Sequence, residues 1–512
     1  MRPPPSSRRR RDSYVLCLLL MSLSVADGEF TTKGKGLKYV AIDTITAVAS
    51  TKNALVVLGD VKKDPTPLLV ADKAWEMTPT SRLDNGYPNI MYDPEYSAEK
   101  PWRLWYDCCV QVGIPNKCSP GKDLVGLLYA ESADGVSWTK PSLGLVDFKS
   151  STANNIMLLK THGLGVFKDS NPSEPPSRRY KAFGMTYRSE VHNNVRGAIF
   201  TSGDGIQWSE RGVPVDLKNK NRWDTHQNML WDSRLNQYVG FTRGNTFLRA
   251  RVGGRKLNRT VARFVSKQWD GPFEDFKVVH VGGAVNDQLY EQLVFPYYNI
   301  FLALVVSYDF KFKKGTPDDR TRCELAWSPD SIHWHRVTDG RRGTRELIPL
   351  GTPGAADAFD CYPALPIDVP SEDSIRMYYI GGNGPHFGYR NSTMMLARVR
   401  RDGLAGMAQR DVSTGPALIT THPLPCNGEP PSVSIDVEAG GSVSVKLSPA
   451  KHFGEEAAES GMRSVSSKPL TESATDKLVE FPDPTSLPPG DCSLEFLLDK
   501  ATLYTFGWPN RN

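Results

Sequence analysis

Several acidic residues stand just before short apolar segments that recur along the chain. They are Asp84, Asp224, Asp287, Glu291, Asp357 and Asp360. If these segments are the innermost strands of a closed ring of sheets, they begin at one end of the central funnel, where their acidic side chains can converge. Cleavage of a glycosidic bond uses two carboxyl groups, one protonated as an acid and one ionised as a base or nucleophile. The pattern therefore favours glycosidic hydrolysis.

The sequence suggests a role for each of three carboxyl groups. We assign Asp84 as the base or nucleophile and Glu291 as the general acid, although Asp287 is equally well placed by spacing. Asp224 is predicted to orient the sugar. Its negative charge would raise the pKa of the nearby acid and keep that acid protonated near neutral pH.

Further polar and aromatic residues near the same strand ends are predicted to bind the substrate. They are His162, Arg188, His226, Tyr290, Asp360, Asn383 and His386. The three histidines would bind sugar hydroxyls or hold a central ion or water, but their scattered positions do not make a zinc site. We therefore predict no obligatory metal and no other cofactor, with a central cation as the alternative.

Three aromatic side chains could form a platform on which a sugar ring stacks, namely Trp75, Trp223 and Tyr290. The competing interpretation of all these residues is structural. In that case the tryptophans and histidines belong to the core, and the carboxylates cap turns or pair with Arg188 or Arg243.

An internal repeat indicates the elements that position these side chains. The segments with the shared pattern are Ser132-Ala-Asp-Gly-Val-Ser-Trp138, Ser202-Gly-Asp-Gly-Ile-Gln-Trp208 and Ser328-Pro-Asp-Ser-Ile-His-Trp334. A period of about 65 residues predicts a further copy near residue 265, where Ser266-Lys-Gln-Trp269 stands. Asp-Gly favours a tight turn, and the tryptophan can pack between sheets, so the motif predicts the edge of a repeated β unit.

A hairpin of apolar and aromatic strands precedes each copy of the motif. Five such hairpins occur, at 87–106, 165–183, 228–241, 292–304 and 362–379. They are spaced by roughly 60 to 80 residues, with no helical periodicity between them. This pattern predicts an all-β chain in which 75–410 forms a five-bladed β-propeller, after a lead-in segment at 37–74.

The pattern changes after about residue 410. Ser432–Val437, Ser442–Leu447 and Cys492–Leu498 alternate between apolar and polar residues, as half-buried strands do. They predict a β-sandwich-like domain over 411–512.

Longer segments of the chain resemble a known family. The segments are Tyr129–Val146 followed by 154–156, Gly165–Asp169 with Arg179–Phe183, Asp224–Asn228, Glu324–Ser328 and Arg376–His386. From about residue 37 onward, the chain resembles secreted, mostly bacterial proteins that are similar to the N-terminal domain of glycoside hydrolase family 32. The resemblance implies a five-bladed propeller related to families 32, 43 and 68, which cleave or transfer furanosides and some pyranosides. It also implies acidic site residues on blades one, three and four.

Residues 1–26 predict a signal peptide. Arg8–Arg11 form a basic start, Tyr14–Val25 is a short apolar stretch, and Ala26 ends a run of small residues suited to cleavage. The segment carries a net charge of +4 out of the chain's +5, so the remaining chain is close to neutral and nothing indicates nucleic acid binding. We predict a secreted protein without a membrane span after cleavage, with an uncleaved signal anchor as the alternative.

An oxidising compartment would permit disulfides among the remaining seven cysteines. The pairs considered are Cys108 or Cys109 with Cys118, and Cys426 with Cys492. Asn258 and Asn391 stand in glycosylation sequons, which fit the secretory route.

The leading functional prediction is a glycosidase acting on a poly- or oligosaccharide through paired carboxylates in the funnel. The alternative is a carbohydrate-binding propeller without catalysis. A sialidase-like propeller ranks third, because the repeated motif is one residue shorter than the sialidase motif and the hairpins number five.

Overall fold

A computed structural model describes most of the chain. The described residues are 37–77, 83–110, 125–186, 197–211, 224–252, 255–283, 287–309, 319–387, 390–426, 428–450 and 463–508. Within these ranges the regular structure is β-strand, apart from single 3₁₀ turns at Pro176–Arg178, Pro370–Glu372, Val412–Thr414 and Pro484–Ser486. The strands form six sheets, of which five have four or five strands and one has ten. In the same ranges, no helix has the length and apolar character needed to cross a membrane.

The first four strands do not form a sheet of their own. They are β1 (Lys38–Val40), β2 (Val48–Lys52), β3 (Ala54–Leu58) and β4 (Lys62–Lys63). The first three join the ten-stranded sheet near the C-terminus, and β4 joins the last propeller blade.

Blades one and two follow along the chain. Blade one contains β5 (Asn89–Tyr92), β6 (Trp102–Cys109), β7 (Val125–Ser132) and β8 (Trp138–Thr139), with β9 (Ile156–Leu159) paired to the first half of β7. Blade two contains β10 (Thr161–Lys168), β11 (Tyr180–Thr186), β12 (Gly197–Ser202) and β13 (Ser209–Arg211). Every residue of β6 is buried, including its polar ones, because stacked blades cover both faces of such a strand.

Blades three and four contain the longest strands of the propeller. Blade three contains β14 (Asn228–Asp232), β15 (Gln237–Val252), β16 (Arg255–Ser266) and β17 (Glu274–His280). Blade four contains β18 (Asp287–Tyr297), β19 (Ile300–Asp309), β20 (Thr321–Ser328), β21 (His335–Arg336) and β22 (Glu346–Ile348). The β15–β16 hairpin continues past the start of β14, whose first residue lies opposite Phe241.

Blade five is completed by a strand from the other end of the chain. It contains β23 (Asp360–Pro363), β24 (Ile367–Val369), β25 (Ser374–Gly382) and β26 (Ser392–Arg400). Its outermost strand is β4, in which Lys62 and Lys63 pair with Arg398 and Ala397. The five-bladed all-β propeller predicted from the sequence is confirmed.

A central cavity marks the axis of the propeller. All five blades line it, through residues that include Asn89, Gly165, Gln227, Leu293 and Leu365. The inner strands β5, β10, β14 and β18 and the segment after β23 therefore surround one axis.

The repeated motif forms the turn that leads to the outermost strand of a blade. In blade one, Asp134 Oδ1 accepts hydrogen bonds from the backbone N–H groups of Val136 and Ser137, each at 2.7 Å. Ser132 Oγ accepts a hydrogen bond from the N–H of Gly135 at 2.9 Å. Gly135 adopts a φ of +73°, which favours glycine. The side chains of the motif therefore fold the turn upon itself.

Two of these turns are also held by the preceding blade. In blade one, the guanidinium of Arg103 donates to the carbonyl oxygen of Asp204 in the blade-two turn at 2.6 Å. Two residues on, Trp105 Nε1 donates to the carbonyl oxygen of Gly205 at 2.8 Å. Arg103 is fully buried and lies over the ring of Tyr96, at 3.6 Å from its centroid. The second strand of one blade thus anchors the turn of the next.

The same arrangement closes the ring between blades five and one. Arg376 donates to the carbonyl oxygen of Asp134 at 2.6 Å, and the hydroxyl of Tyr378 donates to that of Gly135 at 2.9 Å. A Cβ atom at Gly135 would lie only 2.5 Å from Arg376 Nη1, so this turn needs glycine for space as well as for its φ angle. The inter-blade contact therefore recurs where the first and last blades meet.

The C-terminal strands form one sheet together with the N-terminal strands. They are β27 (Ala405–Gln409), β28 (Ala417–Thr421), β29 (Leu424–Pro425), β30 (Ser432–Pro449), β31 (Val465–Ser466), β32 (Ala474–Leu478) and β33 (Asp491–Gly507). The 17-residue β33 pairs in turn with β1, β27, β28, β29 and β30, and the sheet curls around its own apolar core.

The prediction of a sandwich-like domain in this region is not confirmed. All ten strands belong to a single hydrogen-bonded sheet, and three of them come from residues 38–58. Alternation along β30 and β33 predicted strands correctly, but it carries no information on which distant strand pairs with them.

Buried ionic contacts and disulfides tie these units together. Lys38 in β1 forms ion pairs with Asp402, which follows the last blade, and with Asp476 at 2.6 Å. One disulfide, Cys323–Cys361, joins β20 of blade four to β23 of blade five. Of the cysteines for which the sequence predicted disulfides, Cys426 pairs with Cys492 and Cys109 is disulfide-bonded. Cys108 is a buried thiol, and Cys118 lies outside the described residues.

Candidate active site

Hydrogen bonds join the inner strands at one end of the funnel, which we call the rim. The N–H of Gln227 in blade three donates to the carbonyl oxygen of Gly163 in blade two at 3.0 Å. Thr225 donates through its hydroxyl to the carbonyl oxygen of Tyr290 in blade four at 2.8 Å. Asn85, just before blade one, donates to the hydroxyl of Tyr290 at 3.1 Å. The rim is therefore one connected structure.

A histidine between two carboxyl groups lies on one side of the rim. His162 Nε2 donates to Asp224 Oδ1 at 3.3 Å, and its Nδ1 lies 3.5 Å from Asp107 Oδ2. Burial raises the pKa of Asp107 to about 7, although His162 and the N–H of Gly163 act in the opposite direction. Burial acts to lower the pKa of His162, but the two carboxylates outweigh it and raise that pKa. These groups can therefore exchange protons near neutral pH.

Asp224, the carboxyl group hydrogen-bonded to His162 Nε2, is ionised. Burial acts to raise its pKa, but the hydrogen bond from His162 and the charge of Arg243 outweigh that effect and lower it. The guanidinium of Arg243 lies 3.3 Å from Asp224 Oδ2 and also faces the carbonyl oxygen of Tyr290 at 3.4 Å. The Asp224 side chain is still 44% exposed, so its carboxylate is accessible to a ligand.

Asp84 lies beside Asp107 and His162, bound to an arginine of blade five. Arg390 donates to Asp84 Oδ1 at 2.5 Å and to Asn85 Oδ1 at 2.6 Å. Its Nε lies 3.4 Å from Asp360 Oδ2. Burial raises the pKa of Asp360 to about 6, against the opposing charge of Arg390. The Asp84 side chain remains 35% exposed, so this carboxylate also faces solvent.

Glu291 is the most enclosed carboxyl group of the rim. It is 2% exposed, and neither of its oxygens makes a well-formed hydrogen bond within the described part of the chain. Burial raises its pKa to about 8, while the charge of Arg243 and the backbone N–H of His226 partly offset the shift. Glu291 is therefore protonated at neutral pH, as a general acid must be before it reacts.

The structure separates the two candidates for the acid. Asp287 lies at the start of β18, where it pairs with Arg336 at 2.5 Å and accepts a hydrogen bond from the N–H of Gly283. These contacts outweigh burial and lower its pKa. A β-bulge at Tyr290 shifts the register of β18 before Glu291, so the two acidic residues face different surroundings.

Aromatic rings and two neutral histidines form the floor between these carboxyl groups. The ring of Tyr87 lies 5.4 Å from that of His226, and the ring of Tyr290 lies 5.0 Å from that of His386. Tyr362 donates to His386 Nδ1 at 2.6 Å. Burial lowers the pKa of His226 to about 3 and that of His386 far below its usual value. Both rings therefore offer hydrogen bonds without charge.

A second cavity opens beside this floor. Asp84, Tyr87, Asp107 and His162 are among the residues that line it. This small cavity is thus bounded by two carboxyl groups and one histidine.

Other predicted residues make structural contacts or lie outside the described ranges. Asn383 closes the β25–β26 hairpin by accepting a hydrogen bond from the N–H of Asn391. Asp357 pairs with Lys63 at 2.7 Å, and Trp75 packs at the edge of an apolar cluster. Arg188 and Trp223 lie outside the described residues.

Asp107 and Arg390 also lie at the rim, although neither precedes the inner strand of its blade. Asp107 lies near the C-terminal end of β6, the second strand of blade one. Because β6 runs antiparallel to β5, its end returns to the rim. Arg390 lies in the connection between β25 and β26, two residues before β26 begins. Polar residues at the ends of second strands were therefore the available signal.

The carboxyl groups of the rim are not gathered into a cluster of metal-ligating side chains within the described residues. Within the described part of the chain, no group of three or more His, Cys, Asp or Glu side chains is arranged to hold a metal ion. The carboxyl groups of the rim instead lie next to arginine and histidine side chains.

Comparisons with known proteins give matches among solved structures alone. No protein-family model and no curated protein matches the chain. A structure described as a glycoside hydrolase is 12% identical, covers 66% of this chain and 92% of its own, and has a TM-score of 0.44. An N-acetylgalactosamine deacetylase from F. plautii, in complex with blood group B trisaccharide, is 14% identical, covers 69% and 97%, and has a TM-score of 0.43.

A glycosyl hydrolase from Bacteroides ovatus is a further match. It is 12% identical, covers 68% of this chain and 97% of its own, and has a TM-score of 0.41. The relation to families 32, 43 and 68 inferred from the sequence stays a prediction.

Proposed function

We propose that the protein is a glycoside hydrolase that cleaves a poly- or oligosaccharide at the rim of its propeller. Glu291 acts as the general acid and Asp84 as the base or nucleophile. Asp224 orients the sugar through its hydroxyl groups. Asp107 and His162 hold Asp224 in place and relay protons to solvent.

One observation carries this proposal, namely the different states of three carboxyl groups at one rim. Burial raises the pKa of Glu291 to about 8, so it holds a proton at pH 7. Asp224 is ionised, because His162 and Arg243 lower its pKa against the effect of burial. Asp84 is exposed enough to meet a substrate while Arg390 balances its charge. Glycosidic cleavage requires such a division between a proton donor and a carboxylate.

The proposed reaction follows from these states. Glu291 gives its proton to the glycosidic oxygen as the bond to the anomeric carbon breaks. The Asp84 carboxylate then either attacks that carbon or takes a proton from an attacking water. Positive charge that develops on the sugar ring is stabilised by the ionised Asp224.

A second candidate function is carbohydrate binding without catalysis. The specific observation in its favour is the enclosure of Glu291, which is 2% exposed, together with the ion pair between Asp84 and Arg390. In that case the rim would bind sugars through its neutral histidines and exposed carboxylates, with no proton transfer.

Reducing-sugar release from a panel of fructans, arabinans, xylosides and galactosides separates the two candidates. We expect Asp84→Asn and Glu291→Gln to lower kcat by at least about 100-fold, as loss of an acid or base does, while glycan binding and the thermal midpoint stay near those of the wild type. Asp287→Asn is the matched control on the same strand, and it should retain turnover. Glycan binding by the wild type with no released sugar would establish the binding protein instead.

Export through residues 1–26 is part of the same proposal. The basic start, the short apolar stretch and Ala26 support it. N-terminal sequencing of protein collected from the medium should then begin at Asp27. Protein that stays in the membrane fraction with its first residues intact would favour the signal anchor.

A further inference from the structure

A long hairpin brings an additional arginine over the blade-four side of the rim. The strands β15 and β16 have 16 and 12 residues, whereas the corresponding strands β11 and β12 of blade two have 7 and 6. Arg259 lies in the extended part of β16, opposite Asn245. Its guanidinium lies 4.9 Å from the ring centroid of Tyr290 and 5.1 Å from that of Tyr308.

Arg259 differs from the other two arginines of the rim in its partners. Arg243 pairs with Asp224 at 3.3 Å, and Arg390 pairs with Asp84 at 2.5 Å. Within the described ranges, no carboxylate oxygen lies within 4.0 Å of the Arg259 guanidinium. The two tyrosine rings stabilise its charge in part, since cations are attracted to aromatic faces.

In the described part of the chain, no carboxylate contacts the partly exposed Arg259 directly. Burial and repulsion from Arg243 lower its pKa, while Tyr290, Tyr308 and the charge of the more distant Asp224 act in the opposite direction, and arginine stays protonated. A guanidinium that is not engaged by a carboxylate can donate two parallel hydrogen bonds to the carboxylate, sulfate or phosphate ester of a ligand. The Glu291 carboxyl, with its pKa of about 8, adds no negative charge here at pH 7.

We propose that Arg259, above Tyr290 and Tyr308, binds an anionic group of the saccharide, either a uronate carboxylate or a sulfate ester. The inference rests on the proposed function only in taking a saccharide as the ligand. The buried tyrosine rings would hold the guanidinium in position while it takes the acidic group of the sugar. Specificity for acidic over neutral glycans thus arises at Arg259.

Binding measurements in the Glu291→Gln background test this inference without interference from turnover. The probes are uronate-containing trisaccharides with their carboxyl-reduced counterparts, and sulfated trisaccharides with their desulfated counterparts. We expect at least one acidic class to bind at least ten-fold more tightly than its neutral counterpart, and the class that does so identifies the acidic group. Binding of that class should weaken as NaCl is raised.

The variant Arg259→Gln should remove this preference, so that acidic and neutral probes bind alike. Arg234→Gln is the matched control, because Arg234 also lies over a ring, that of Phe301 at 4.0 Å, but pairs with Asp232 away from the rim. It should keep the preference. Thermal midpoints of both variants establish that they are folded.

Two results would overturn the inference. One is equal binding of acidic and neutral probes by the parent protein, and the other is an acidic preference that survives in Arg259→Gln. Neutral glycans that are hydrolysed by the wild type with no acidic preference would leave the hydrolase proposal standing and refute the Arg259 site. Tighter binding of acidic glycans with no hydrolysis by the wild type would support the Arg259 site and refute the hydrolase proposal.

Discussion

The buried acid Glu291 should make the stability of the protein depend on pH in a defined direction. Its pKa is about 8 in the folded protein, against 4.5 for an ordinary glutamate. The folded state therefore holds a proton that the unfolded state releases between these two values. The free energy of unfolding is fully retained below pH 4.5 and falls as the pH rises towards 8.

The size of this effect follows from the shift in pKa. Each pH unit between the two values costs about 1.4 kcal/mol, so the loss between pH 5 and pH 8 is of order 3 kcal/mol. Glu291→Gln replaces the carboxyl by a neutral group of the same shape and removes the titration. Relative to the wild type, we expect the variant to gain about 3 kcal/mol over this interval and to lose its hydrolytic activity.

Denaturant unfolding of both proteins at pH 5, 6, 7 and 8 gives the difference directly, because other titrating groups cancel. Asp287→Asn is the control: its contacts lower the pKa of Asp287, so its stability difference from the wild type should be constant from pH 5 to 8. Parallel curves for the wild type and Glu291→Gln would refute the protonated acid. So would hydrolysis whose rate increases as the pH rises through 8.

Two further substitutions test how the blades hold together. Arg103→Ala should lower the free energy of unfolding by about 3–5 kcal/mol, as loss of one partner in a buried ionic network does. Arg103→Lys should not restore the lost stability, because lysine cannot keep the contacts to both Asp204 and Tyr129. A thermal midpoint of Arg103→Ala within 1 °C of the wild type would contradict the inter-blade role. Gly163→Ala should destabilise by at least about 2 kcal/mol, since its φ is +65° and a Cβ would lie 1.9 Å from the carbonyl oxygen of Thr225. Gly144→Ala is the control, because Gly144 has a φ of +72° but open space around it, so its substitution measures the backbone cost alone. If denaturant unfolding gives the two variants equal losses of stability, that result would count against the close approach of blades two and three.

The repeat made the propeller predictable, but the alternation of side chains along a strand could not decide whether Asp287 or Glu291 is the general acid. In a regular strand, Asp287 and Glu291 are four residues apart and face the same side. The bulge at Tyr290 breaks this period, and nothing in the local sequence specifies it. Asp84 and Asp224 each precede their strand, so no bulge affects their position, and their roles stay predictions.

The strand pairing of the curled C-terminal sheet could not be predicted from the sequence for a different reason. Strands β30 and β33 alternate clearly, and their existence was predicted. Strand β33 pairs with β1, so that Lys38 lies opposite Gly507 from the other end of the chain, while β2 and β3 pair with β28 and β27. Alternation does not encode such distant pairings. Arg259 was likewise invisible, because its role depends on how far one hairpin extends.

The pairing of β4 with β26 has a consequence for how the protein is made. Asp64, next to β4, bonds to Arg398 at a separation of 334 residues, so an early segment leaving the ribosome must wait for almost the entire propeller before it finds its place. Until then, β4 has no partner strand. Without β4, one edge of β26 would stay uncovered, and an uncovered edge of this kind attracts other chains. A gene fragment that begins after β4 would make that exposed edge permanent.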